Sequence, residues 1–220
     1  VPWIGEEMPT TNHVGATGEG IKIAQQIGAN TLHMSYIQLY PFAEPSKGYL
    51  DHVAVVPFSG PSFGIVYVDE NGERFVNEGE RRDVVSMAEM NSGGFPTFSI
   101  FNESMMTKFT TKEDMESGME KGRVFKADTL EELAAEISSH NYGRDADFGK
   151  RIDQGVAMTI EEGPFYAIPQ WPSVHHTMGG LKINPHSEVE DVWGDVIPGL
   201  YAAGEVVGGV HGTNRLGSNA

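Results

Sequence analysis

Glycine is crowded into the two ends of this chain, and the bare backbone it creates there constrains the fold more than any other feature. Gly204, Gly208, Gly209, Gly212 and Gly217 fall in one short run near the end, and Gly15, Gly18 and Gly20 in another near the start. A lone cluster is accounted for by tight turns. The segment 199–220 is denser than turns require. Pro198-Gly199-Leu200-Tyr201-Ala202-Ala203-Gly204-Glu205 reads as a turn, a short buried strand and a sharp stop, and Asn214-Arg215 follow. Backbone N–H groups beside a cation suit an anion or an electron-rich ring. The dinucleotide fingerprint G-x-G-x-x-G is absent, because Gly15, Gly18 and Gly20 have the wrong order of spacings.

Composition excludes several classes of function. With 220 residues the chain makes one large domain or two small ones. Its net charge of −16 argues against nucleic acid as a partner. It has no Cys, so disulfides, thiolate zinc sites and cysteine nucleophiles are ruled out. Its eight His residues do not fall at ligand spacing, so no metal is expected. No apolar run approaches the roughly 18 residues of a membrane span, and the first residues do not resemble a signal peptide. The chain starts at Val1 and stops at Ala220 inside a glycine-rich run, which reads as a fragment.

The pattern predicts a mixed α+β chain. A helix follows the turn at 11–20, with Thr17 as N-cap, Ile21, Ala24 and Ile27 at helical spacing, and Gly28 at its end. Strands are expected at 34–40, 51–58, 64–68 and 96–101, with Asp69-Glu70-Asn71-Gly72 as a hairpin turn and 74–76 returning. Residues 80–90 read as a helix, Asp128-Thr129 as the start of another, and 164–182 as strand. Asp145 and Asp147 sit in a charged stretch of the polar middle, 102–153.

Two groups of side chains invite chemistry. His175-His176 is an adjacent pair, and on a strand neighbours face opposite sides, so one of them at most is expected to reach a given substrate. Arg81-Arg82 opens a helix, where cations oppose the macrodipole. That misfit points to a task for one of them.

Several motifs then match a family in order along the chain. They are Thr11-Asn12-His13 with GATGEG at 15–20, Phe75-Val76-Asn77-Glu78 with Arg82-Asp83, VHHTMGG at 174–180, and PGLYAAGEVVGGVHGTNRLGSNA at 198–220. Together they resemble the FAD-dependent fumarate reductase family of the soluble flavocytochrome type. The resemblance implies an α/β FAD-binding domain interrupted by a capping (clamp) domain, with substrate lying between them against the flavin. It places the end of the first FAD segment at 1–36, the capping domain at 37–170 and the truncated returning FAD segment at 171–220. The rest of the FAD domain, from the protein's own chain, is an expected partner.

The implied chemistry is hydride transfer from reduced FAD to the C=C bond of a small α,β-unsaturated carboxylate. By the family's motifs Arg82 is the proton donor, and His175 and Arg215 bind the carboxylate. His176, Glu205, Gly208, Gly209, Gly217 and Ser218 match flavin-contacting positions. The electron donor lies outside this segment. Three departures bear on substrate. Tyr40-Pro41 stands where fumarate reductases have His-Pro, Pro57-Phe58 where they have Thr-Glu, and Pro61 near the place of a relay arginine. The second carboxylate clamp is thus replaced by apolar and aromatic surface. Tyr40 is similar to the urocanate reductases, so urocanate or another aryl-acrylate is expected. The alternatives are a fumarate reductase, or a non-catalytic clamp module that binds no flavin. The isolated piece is expected to be inactive. Glu78, Glu80 and Asp83 are each candidates to pass a proton to Arg82.

Overall fold

A computed structural model describes residues 8–137 and 160–216. Asp145, Asp147, Gly217 and Ser218 lie outside the described residues. The helices are α1 Glu19–Gln26, α2 Val55–Ser59, α3 Arg82–Asn91, α4 Glu103–Met106, α5 Lys112–Glu120 and α6 Leu130–Ile137. The strands are β1 Thr31–Leu32, β2 Ile37–Ala43, β3 Val66–Val68, β4 Thr97–Asn102, β5 Phe125–Ala127, β6 Phe165–Thr177, β7 Gly180–Leu181, β8 Glu188–Glu190 and β9 Val196–Tyr201. The chain is therefore a mixture of helix and sheet. It falls into two compact units, one of Val1–Met8, Asn12–Leu39 and Val174–Ala220, the other of Pro9–Thr11 and Tyr40–Ser173.

The larger unit is organised by a sheet of order β2-β6-β4-β3, with β5 also paired to β6. β4 is buried along its whole length, as a strand covered on both faces must be. Its alternation sends Phe98 and Ile100 into one cluster with Leu133 of α6, and Phe101 into another with Tyr67, Met105 and Tyr166. In register, Phe101 lies opposite Tyr166, and their rings stack with centroids 5.5 Å apart. β2 ends the strand order, so Pro41 inside it costs no ladder hydrogen bond on the open side.

The strand expected at 51–58 is helical instead. Asp51 caps a 3-10 turn, His52–Ala54, by accepting from the Ala54 N–H at 3.2 Å, and the turn runs on into α2. The cap and the burial of Val53 and Val56 on one side outweigh the β-preference of the valines. Asp51 also takes the guanidinium of Arg123 at 2.5 Å, and Arg123 donates onward to the Pro169 carbonyl. At 74–76 the returning strand reduces to a bridge between Val68 and Arg74, although Asn71-Gly72 does turn, with Gly72 at φ +78°. The helix beginning at 130 has a reciprocal cap, in which Thr129 and Glu132 exchange side-chain and backbone hydrogen bonds.

The smaller unit packs Ala24 of α1 on Leu181, Val189 and Ala202. β1 pairs antiparallel with β7, and β8 with β9. The cap of α1 is Gly18 in the left-handed region, not Thr17, and no side chain bonds there.

α3 is fastened to the sheet by a buried polar network. Glu89 Oε1 accepts from Thr97 Oγ1 at 3.0 Å and from Gln170 Nε2 at 2.9 Å, and Gln170 in turn accepts from the Ser99 hydroxyl. Burial pushes the Glu89 carboxyl well above the usual carboxylate range, against the two hydrogen bonds that pull it down. The fold therefore favours the neutral form. Its contribution is present below the ordinary Glu value and is lost as pH rises toward the raised folded value. Urea melts of Glu89→Gln and wild type should diverge as pH climbs above about 4.5, the wild type losing roughly 1.4 kcal/mol per pH unit relative to the variant. A constant difference between the two would mean that Glu89 is ionised in the fold.

Candidate active site

In the smaller unit a cavity of about 610 Å3 is bordered by His175, His176, Met178, Glu205, His211 and Arg215. The end of β6 supplies both histidines. Both histidines border the cavity, as part of the consecutive run His175–Met178 at the strand end. His176 is held below the usual imidazole range, first by burial and then by the charges of Arg215 and His211, while Glu205 acts the other way. The His211 ring meets His176 edge-to-face, with centroids 5.2 Å apart.

Arg215 has a buried Nε with no hydrogen-bond partner, and it borders this cavity. An unsatisfied buried N–H costs about 1–3 kcal/mol, which an anion in the cavity would recover. The position of Arg215 is set by Gln38 of β2. Its Nε2 donates to Asn214 Oδ1 at 2.6 Å and to the Arg215 carbonyl at 2.5 Å.

The two glycine motifs meet as backbone. A Cβ on Gly208 would stand 2.6 Å from Gly180 N and 2.7 Å from Leu32 O, and one on Gly180 would strike the chain at Val206–Gly208. VHHTMGG and GEVVGG are thus two sides of one close approach, sealed by the Gly208 N–H donating to Leu181 O at 3.0 Å. Gly208 and Gly209 stand behind the wall and do not border the cavity, whereas Glu205 does. An open cavity with backbone, an acid for hydroxyl groups, an imidazole and an unsatisfied guanidinium fits a nucleotide-linked, electron-rich ring.

In the larger unit a second cavity, about 220 Å3, is bordered by Phe42, Phe58, Glu78, Glu80 and Arg82. The Arg82 guanidinium carbon lies 5.0 Å from the centroid of the Tyr40 ring and 5.0 Å from that of Phe58. Such contacts stabilise a cation by roughly 0.5–2 kcal/mol. Tyr40 is buried, and burial pushes its hydroxyl up to about 12, with Arg82 opposing the shift. Phe58 is 47% exposed. Glu78 is fully enclosed, gripped by Arg74 through two contacts of 2.9 Å, and accepts from the Tyr67 N–H. Arg81 turns outward and pairs with Asp83 at 2.7 Å, which restores the anion that the start of α3 favours.

Reading the sequence alone overlooks Gln38 and His211. His211 sits inside a quoted motif and was distinguishable by residue type, whereas Gln38 gives no local signal. Among the described residues, no cluster of His, Asp and Glu is arranged to hold a metal, and no helix is long and apolar enough to cross a membrane.

The profile of the family described as FAD binding domain matches residues 4–220. An NADH:acrylate oxidoreductase of Vibrio harveyi is 39% identical over 99% of the chain and 22% of its own length. A urocanate reductase of Eggerthella lenta is 37% identical over 99% of the chain and 38% of its own. The open conformation of a flavocytochrome c3 fumarate reductase superposes with a TM-score of 0.71 at 32% identity, covering 97% of the chain and 39% of that structure. The chain thus spans between about a fifth and two fifths of the length of these proteins.

Gln38→Leu should free the loop that carries Arg215. Amide exchange at Asn214 and Arg215 should quicken roughly 5- to 30-fold, the equivalent of 1–2 kcal/mol of lost hydrogen bonding. Unchanged protection there would show that the loop is held by other contacts.

Proposed function

Because the chain belongs to the FAD binding domain family, with FAD as its cofactor, we propose that the whole protein reduces the C=C bond of an α,β-unsaturated monocarboxylate that carries a flat ring, as urocanate and other aryl-acrylates do. The observation that carries this reading is the Arg82 guanidinium laid over Tyr40 and Phe58. The relatives named for acrylate, urocanate and fumarate support the reaction class.

In this reading Tyr40–Ser173 is the capping domain, and the other unit belongs to the FAD domain. His176 and Glu205 face the cofactor, and the glycines behind them keep the wall thin. Bound FAD supplies the hydride that adds to the β carbon. His175 and Arg215 hold the carboxylate, where negative charge grows as the bond is reduced. Arg215 brings a planar fork suited to two oxygens at once. Arg82 gives a proton from its guanidinium to the α carbon. The aromatic rings beside it fix the guanidinium in place, so the developing carbanion takes its proton from a positioned donor.

The same rings decide substrate. Phe58 offers an exposed face to a flat ring, and neither it nor Tyr40 carries a positive charge to neutralise a second carboxylate. A dicarboxylate would leave one charge poorly matched, at a cost on the order of several kcal/mol.

Two measurements on the full-length flavoprotein test this. Arg82→Ala should lower turnover by roughly 10²- to 10⁴-fold while the visible flavin spectrum persists. With a reduced dye as donor, kcat/KM for urocanate or cinnamate should exceed that for fumarate by about tenfold or more, the equivalent of 1.4 kcal/mol or more. Faster reduction of fumarate would overturn the substrate reading, and full turnover by the alanine variant would remove Arg82 from the chemistry.

A further inference from the structure

We infer that Glu80 is the group that returns a proton to Arg82, connecting the small cavity of the larger unit to water. The inference rests on the reading of Arg82 as the acid. An arginine that gives up a proton in each turnover must recover one before the next, and the neutral guanidine cannot be left to chance encounters beside two aromatic rings. Phe58, at the edge of this cavity, has no proton to offer.

Three carboxylates lie close in sequence, and their surroundings separate them. Glu78 is enclosed and locked. Both its oxygens are taken by Arg74, and one of them also accepts from the Tyr67 N–H. A group so fully engaged in a buried pair is poorly suited to pass a proton on. Asp83 pairs with the outward guanidinium of Arg81 and does not border the cavity. Glu80 meets both requirements of a relay: it borders the cavity together with Arg82, and it is exposed to solvent.

The local backbone explains why. Asn77 to Glu80 forms a turn, with Glu80 N–H donating to the Asn77 carbonyl at 3.0 Å and Gly79 N–H to Asn77 Oδ1 at 3.0 Å. Arg81 follows in an extended conformation, φ −62° and ψ 151°. Glu80 and Arg82, on either side of it, both border the cavity, whereas Arg81 is turned to Asp83. Glu78, Tyr67 and Arg82 are the ionisable groups that share the cavity with Glu80.

The proton count closes. Arg82 loses an N–H proton to the α carbon of substrate. The Glu80 carboxylic O–H then breaks, its proton forms a new N–H bond on the neutral guanidine, and the carboxylate left behind takes a proton from water. One solvent proton enters per turnover, and nothing is oxidised or reduced in the relay.

The test uses the full-length flavin-loaded enzyme, with cinnamate or urocanate as substrate and reduced methyl viologen as donor. In Glu80→Gln and Glu80→Ala, kcat should fall roughly 10- to 100-fold with KM within about twofold of wild type, and the solvent deuterium isotope effect on kcat should rise. Added acetate should restore the alanine variant in a concentration-dependent way, and Glu80→Asp should retain most of the rate. A merely structural role would respond to neither. If Arg82→Ala is inactive and both Glu80 variants turn over within about twofold of wild type, the relay is wrong and the acid stands. If Arg82→Ala turns over normally, the acid assignment fails and the relay with it.

Discussion

A guanidinium resting over two aromatic rings is the contact on which the larger unit's cavity depends. Its three participants come from three elements. β2 brings Tyr40, α2 brings Phe58, and α3 begins at Arg82. Each element is fixed separately. β2 pairs with β6 in the sheet. α2 follows the cap at Asp51, and the Tyr67 hydroxyl donates to the Pro57 carbonyl at 2.6 Å. α3 is tied through Glu89 to β4 and β6. A shift in any of the three would separate the charge from a ring and leave it against apolar surface, where a cation is costly.

The sheet makes this economical. β6 presents Tyr166 and Ile168 to the aromatic side of the core, Gln170 to the Glu89 network, and two histidines at its far end to the other cavity. One long strand thus carries core, fastening and site in sequence. The net charge of −16 does not oppose anion binding, because field at short range is set by the nearest groups. Among the described residues, Asp51, Glu78 and Glu190 are matched by Arg123, Arg74 and Lys182, so these acids present little field of their own.

What could be read from the sequence follows the range of the interaction that decides each feature. The buried run at 96–101, the helix starting at Arg82, the Asn71-Gly72 turn and the Thr129 cap depend on neighbours a few residues away, and all were legible. The segment 51–58 was not. Its valines favour a strand, and the capping carboxylate of Asp51 together with burial of Val53 and Val56 selects helix. Gln38 lies 176 residues from Asn214, so its role appears only when β2 and the last loop are brought together. The glycine runs were legible as places of close approach. Which backbone approaches which, Gly180 with Gly208, was not. His175, His176, Glu205 and Arg215 all lie in the two motifs at 174–180 and 198–220, and these four border one cavity.

Four buried or half-buried ionisable groups among the described residues are held in different ways. Arg123 is paired with Asp51 and bonded to a carbonyl, an arrangement that fixes structure. Glu89 is kept neutral, which spares it a partner charge and leaves it able to tie three elements together. Arg82 is set against two rings, whose faces stabilise the cation. Arg215 keeps a buried N–H unsatisfied at a cavity wall. That donor is held at a cost that folding alone does not return, and such a cost persists where a ligand returns it. Arg215 at that wall is accordingly the cation that the proposed reading sets against a carboxylate.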